Sequence, residues 1–338
     1  MRKLSIALAS LVAMLVVTSA QARDQIKIVG SSTVFPYATI VAERFGSSGK
    51  FKTPVIESTG TGGGAKLFCA GVGTEHPDVT NASRAMKAKE YALCQKNGVE
   101  EIVEITVGND GITLAYSKDA KPVNFTKKHL WAALAKEVAK DGALVPNPYK
   151  NWSDIDSSLP NYPIKVMVPP GTSGTRDAWN SLVMNKGCSK AAKSLFGDKA
   201  KKECAKMRED GYAVEAGEND TLIVQKLAAN PDAYGFFGYS YYLANKDKIK
   251  AAAINGVKPS LEGIQDYSYP IARPLFFYAK KAHVGVVPGL KEFLDAFTSK
   301  KAMGSRGYLT DIGLVPLASD KYKVTRTAAK DLVTIALK

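Results

Sequence analysis

Four times along this chain a short β-rich run gives way to a loop of glycine, serine and threonine that opens a helical pattern. Ile26–Val29 leads into Gly30-Ser-Ser-Thr-Val-Phe-Pro36, and Thr53–Ile56 into Ser58-Thr-Gly-Thr-Gly-Gly-Gly-Ala-Lys66. Val79–Asn81 leads into Ala82-Ser-Arg84, and Ile164–Val168 into Pro169-Pro-Gly-Thr-Ser-Gly-Thr-Arg176. Strands that alternate with helices through short polar turns specify an α/β fold, each sheet flanked by helices. The rhythm continues, with helices expected over 35–45, 65–70, 87–96, 126–135, 175–184, 220–229, 290–297 and 328–337. Further strands are expected over 99–107, 112–116, 234–237 and 271–278. Asp110-Gly111 between two of these strands also fits an ordinary turn. Pro146 and Pro148 mark 145–152 as a loop, because proline gives a ladder no donor.

Ahead of the first strand, Arg2 and Lys3 precede an apolar run from Leu4 to Val17, and Ala20-Gln-Ala22 precedes Arg23. This is the pattern of a cleavable signal peptide over 1–22. An apolar run of about 14 residues is too short to span a bilayer, and no later stretch is apolar enough, so a free exported protein is expected, not a membrane-embedded one. The remaining chain is longer than one core usually organises, which predicts two lobes. The formal charge is +14, of which the leader supplies two. Lys and Arg are spread out, without the long clusters or aromatic interleaving of a nucleic-acid surface, so the surplus is expected to steer a small anion. Four cysteines in an exported chain predict two disulfides, and Cys69 with Cys94 and Cys188 with Cys204 close the shortest loops. His76, His129 and His283 stand apart from the cysteines and from one another, so neither a metal nor any other cofactor is expected.

The chemistry belongs in the four loops. A helix start leaves backbone N–H groups unpaired and carries partial positive charge, so it binds an oxyanion without a full cation. The loops add the hydroxyls of Ser32, Thr33, Thr61, Ser83, Ser173 and Thr175, and the guanidinium groups of Arg84 and Arg176, which can fork onto two oxygens. Three consecutive glycines, Gly62, Gly63 and Gly64, let the backbone approach a ligand closely. The second loop resembles a P-loop only superficially, since Ala65 precedes Lys66 and neither Ser nor Thr follows.

Taken in order, these loops, with Asp110-Gly-Ile112 and Tyr234-Gly-Phe-Phe-Gly-Tyr239, resemble the phosphate-binding proteins of phosphate ABC transporters, in the branch with Ser-Arg in the third loop. The resemblance implies a type II periplasmic binding protein, two lobes joined by two crossover strands. Lobe one would hold 23–117 and 273–338, and lobe two 118–272. It implies ligand contacts through the amides of Val34 and Phe35, the hydroxyl of Thr61, and Ser173, Gly174 and Thr175, with Ser32 and Thr33 beside them and Gly62, Gly63 and Ser83 in the adjoining loops. It also implies a monomer in the periplasm that delivers inorganic phosphate to membrane permease and ATPase subunits.

Two departures matter: Arg84 stands where the better-known members carry Asp, and Pro169 stands where they carry Arg, so Arg84 and Arg176 are expected to supply the positive charge. Phosphate is partly protonated at neutral pH and its P–OH needs an acceptor, a role assigned here to Asp110, with Glu215 and Asp220 as alternatives. The competing functions are binding of sulfate, molybdate or tungstate, and a secreted phosphatase. The phosphatase would need a base or metal beside a loop hydroxyl, and the four loops contain no histidine. The tyrosine-rich stretch after Tyr234 and the three tryptophans are expected to pack rather than touch ligand.

Overall fold

The computed structural model describes residues 23–171, 173–216 and 220–337, so the expected leader lies outside the described residues. Among the described residues nine strands share one sheet. They are β1 (Lys27–Gly30), β2 (Val55–Ser58), β3 (Val79–Ala82), β4 (Ile102–Ser117), β5 (Val166–Val168), β6 (Ala213–Glu215), β7 (Tyr234–Gly238), β8 (Ile249–Ala251) and β9 (Ala272–Lys280). Their order is β2-β1-β3-β9-β4-β7-β5-β6, with β8 also paired to β4. β1 runs parallel to β2 and β3, and β5 parallel to β6 and β7, which gives two parallel groups. The long β4 serves both. Its first part, Ile102 to Gly111, pairs antiparallel with β9, and its second, Ile112 to Ser117, with β7 and β8.

The apolar side chains sort the same way. Ile28, Val34, Val41, Ile105, Phe277 and Phe293 form one core. Ile112, Leu114, Tyr116, Trp152, Trp179 and Phe236 belong to another. Helices α1 (Phe35–Gly46), α2 (Gly60–Phe68) and α3 (Ala88–Lys96) follow β1, β2 and β3. Helix α4 (Gly174–Trp179) follows β5, and α5 (Tyr239–Ala244) follows β7. The disulfides join Cys69 to Cys94 and Cys188 to Cys204. His283 is structural: its Nδ1 meets Asp78 Oδ1 and its Nε2 meets the Val72 carbonyl, both at 2.5 Å.

Four expectations change. Asp110-Gly111 is not a turn, because Arg273 and Ala272 of β9 pair with it and carry β4 straight through. The last helix is Ser319–Asp331, not 328–337. Leu332 ends it in the left-handed region, and Ile335 then donates to the Ile102 carbonyl as an extended tail beside β4. The 145–152 loop starts late, since Ala143–Pro146 pairs with Glu137–Lys140, and Pro146 is tolerated as the terminal residue of that short hairpin.

The fourth change concerns the glycine triplet. Helix α2 starts at Gly60, five residues before the expected Ala65, so the triplet lies inside it. A Cβ on Gly62 would meet open space, whereas one on Gly64 would lie 2.4 Å from Gly30 Cα and 2.6 Å from Thr80 Oγ1. The close approach is therefore helix on strand. Gly64→Ala is expected to destabilise the fold by about 1–3 kcal/mol, the usual cost of overpacking, as a lower denaturant midpoint at unchanged m-value.

Candidate anion-binding cleft

In an open α/β sheet the helix starts, with their free amides, gather beyond the carboxyl ends of the strands, and a ligand crevice forms there. Here a cleft of about 350 Å³ occupies that place. Its walls are Ser32 to Tyr37 without Val34, from the loop after β1; Ser58 at the end of β2; and Ser173, Gly174 and Thr175 at the start of α4. Gly238, Ser240 and Tyr241 at the start of α5, with Ile312 and Gly313, complete them, and Asp110 is the lining carboxylate. Helix α4 is held in place by Trp179, fully buried, whose ring stacks on Phe236 of β7 with centroids 4.0 Å apart. Beyond Trp179 the helix continues as a π-helical turn, Asn180–Met184, so the expected 175–184 helix changes its hydrogen-bond pattern midway.

The residues singled out in the sequence divide into two groups. Ser32, Thr33, Phe35, Asp110, Ser173, Gly174 and Thr175 meet in the cleft. Two of their donors are committed locally: Phe35 N–H bonds the Ser31 carbonyl at 3.0 Å, and Thr175 N–H is capped by Ser173 Oγ at 3.2 Å. Val34 is buried in the core beneath. Thr61, Gly62, Gly63, Ser83 and Arg84 are not brought to the cleft wall. Thr61 Oγ1 lies 3.0 Å from Ser83 Oγ and accepts its N–H at 3.1 Å. Arg84 forks onto Glu90 at 2.7 and 2.8 Å, and that carboxylate makes the guanidinium hold its proton more firmly than usual. Arg176 turns the other way, donating from Nη1 to the Pro169 carbonyl at 2.8 Å and facing a second pocket with Glu215 and Lys136. The side chain of Asp220 lies outside the described residues.

Among the described residues the cation in contact with the cleft lining is instead Arg273 of β9, only 7% exposed. Its Nε donates to Asp110 Oδ2 at 3.2 Å and its Nη2 to Thr33 Oγ1 at 2.9 Å, while Nη1 lies 3.6 Å from Asp177. Burial pushes the Asp110 carboxyl above its ordinary pKa, and Arg273 opposes that rise without cancelling it. The result is a small cleft walled by hydroxyls and backbone, with one buried carboxylate and one guanidinium in contact beneath it. Sequence reasoning missed Arg273, Ser240 and Tyr241, and it took in Ser58 only as the head of the second loop, without a ligand role. The signal for Ser240 was present, since Gly238-Tyr-Ser240 repeats the strand, small-residue turn, helix pattern of the other loops. For Arg273 the signal was a lone cation in an otherwise apolar strand, Ile271-Ala-Arg-Pro-Leu-Phe-Phe-Tyr278.

Comparison with known proteins agrees with this architecture. The family model of the PBP superfamily domain matches residues 16–301. Protein SphX of Synechococcus elongatus is 35% identical over 304 residues, covering 87% of this chain and 77% of that one. Phosphate-binding protein PstS of Staphylococcus saprophyticus is 28% identical, covering 93% and 87%. Among solved structures, a possible phosphate binding protein from Planctomyces limnophilus superposes with a TM-score of 0.73 at 28% identity, covering 92% of this chain and 99% of that one. PstS from Borrelia burgdorferi shares the fold at a TM-score of 0.60 and 19% identity, covering 88% and 100%. With most of its length matched by the family model and by these relatives, the chain belongs to the PBP superfamily.

Proposed function

We propose that this protein captures one inorganic phosphate between two lobes and delivers it to the permease and ATPase subunits of an ABC importer. The observation that carries the reading is the Asp110–Arg273 pair at a cleft otherwise walled by hydroxyls and helix starts. Ser32, Ser173, Thr175 and the Gly174 amide would supply neutral donors to the phosphate oxygens. Asp110 Oδ2 is occupied by Arg273, which leaves Oδ1 to accept the P–OH proton. Sulfate carries no proton at neutral pH and would set its lone pairs against the same carboxylate. That mismatch disfavours the other oxyanions. A relative named as a phosphate-binding protein, similar over nearly the whole chain, supports the same ligand.

The proposed lobes follow 23–117 with 273–338, and 118–272, except that 112–117, which pair with β7 and β8 and pack in the second core, go with lobe two. Within β4 and β9 the crossing would fall near 108–111 and 272–275, where β4 passes from one core to the other. The protein would work in the periplasm as an exported monomer, without a cofactor and without chemistry of its own.

A thermal-shift panel tests the ligand. A ligand at about 1,000 times its dissociation constant adds about 4 kcal/mol to folding stability, so millimolar phosphate is expected to raise the melting temperature by several degrees. Sulfate and molybdate are expected to leave it within a degree, and a chromogenic phosphate ester to be left unhydrolysed. A sulfate shift equal to the phosphate shift would favour the general oxyanion reading instead.

A further inference from the structure

Arg273 touches three parts of the chain, and the outer two must come together when the cleft closes. On one side it donates to Thr33 Oγ1 in the loop after β1. In the middle it donates to Asp110 on the crossover strand. On the far side its Nη1 faces Asp177 of α4 at 3.6 Å and Ser181 Oγ of the π-helical turn at 3.4 Å. Thr33 extends the link, because the hydroxyl that accepts from Arg273 also reaches the Gly174 carbonyl across the cleft at 3.2 Å. Opening the cleft would separate Thr33 from Gly174 and Arg273 from Asp177 together, while the Arg273–Asp110 contact, made between two paired strands, would survive.

We propose that Arg273 is a closure latch: carried on the returning strand, its one guanidinium binds both walls at once, with Thr33 as relay and Asp177 as the ion-pair partner on the far wall. Thr33 then serves closure instead of donating to the ligand. Asp177 becomes a positioning residue that acts on the ligand only through Arg273. A lysine cannot replace this arginine, because an ammonium offers donors from one point and cannot fork toward separate partners.

The latch rests on the phosphate reading for its kinetic test but not for its structural one. Asp177→Asn, at an exposed side chain, is expected to raise the phosphate dissociation rate roughly 2- to 5-fold, the range for a partly screened ion pair, with the association rate within about twofold. Arg273→Lys is expected to raise dissociation about 10-fold or more, because buried charge-assisted hydrogen bonds are lost. Asp177→Asn should add nothing further in the Arg273→Lys background, since both remove the same link. In small-angle scattering without ligand, Asp177→Asn should show a larger radius of gyration than the wild type. An unchanged radius in Asp177→Asn, or rate effects that multiply in the double variant, overturns the latch. A wild type that binds no phosphate overturns the ligand assignment and leaves the scattering comparison to decide the latch.

Discussion

Gly174→Ala is expected to weaken phosphate binding by roughly 10- to 100-fold while leaving the fold intact. A Cβ at this position would lie 2.5 Å from Thr33 Cα and 2.9 Å from Thr33 N. Both are backbone atoms of the opposite wall, so no rotamer change relieves the contact. What yields is the cleft. Overpacking of this kind costs about 1–3 kcal/mol, and each 1.4 kcal/mol is tenfold in affinity. The cost falls on closure and spares folding, because Gly174 is the first residue of α4 and its backbone lies outside the left-handed region. Alanine is a better helix former there. The melting temperature without ligand should therefore stay within about two degrees, while the calorimetric dissociation constant for phosphate rises. Unchanged affinity would mean that phosphate binds without bringing Thr33 and Gly174 together.

Asp110→Asn carries the other large effect. A site built to hydrogen-bond a ligand hydroxyl rejects an analogue lacking it by about 10⁴-fold or more, so the wild type should prefer phosphate to sulfate on that order. The amide can turn its NH₂ toward an unprotonated oxygen, so the preference should fall to about 10-fold or less. The pH dependence follows from the raised carboxyl. In the proposed role Asp110 would accept the P–OH only when ionised, so affinity is expected to be full above its folded pKa and to fall as pH drops through it. Because burial raises that pKa from 3.8, the loss begins at a higher pH than for an ordinary aspartate. The Asn variant should be flat across that window. The stability term has the opposite sign: the folded carboxyl holds its proton to higher pH than the unfolded one, so ionising Asp110 costs stability as pH rises between the two. A side chain that costs the fold stability in the working pH range fits a functional role better than a structural one.

How far the sequence could be read differs from residue to residue for physical reasons. The first and fourth loops were legible because each puts hydroxyls between the carboxyl end of a strand and a helix start, and the two parallel groups of strands bring those turns together, whereas the second loop is taken up by helix α2 from Gly60 on. Arg84 and Arg176 were not, although they sit in such turns. Residue type says that a guanidinium is present but not which way it leaves the backbone: Arg84 finds Glu90 six residues on, and Arg176 folds back on Pro169. Arg273 was hidden by distance, since its partners Asp110 and Thr33 stand 163 and 240 residues away. The glycine triplet was read for the right property and the wrong neighbour, because a missing Cβ serves a strand as well as a ligand. The tail from Ala328 has apolar spacing that suits either a helix end or an edge segment, and pairing with β4 decided it.

The most direct test of the account is calorimetric titration of the protein, freed of bound anion, with phosphate and with sulfate in the same buffer at neutral pH. The predicted result is saturation at one phosphate per chain, with no saturable heat from sulfate at equal concentration. Saturation by sulfate with comparable affinity, or no heat from phosphate, would contradict the reading of Asp110 and Arg273 as the floor of a phosphate site.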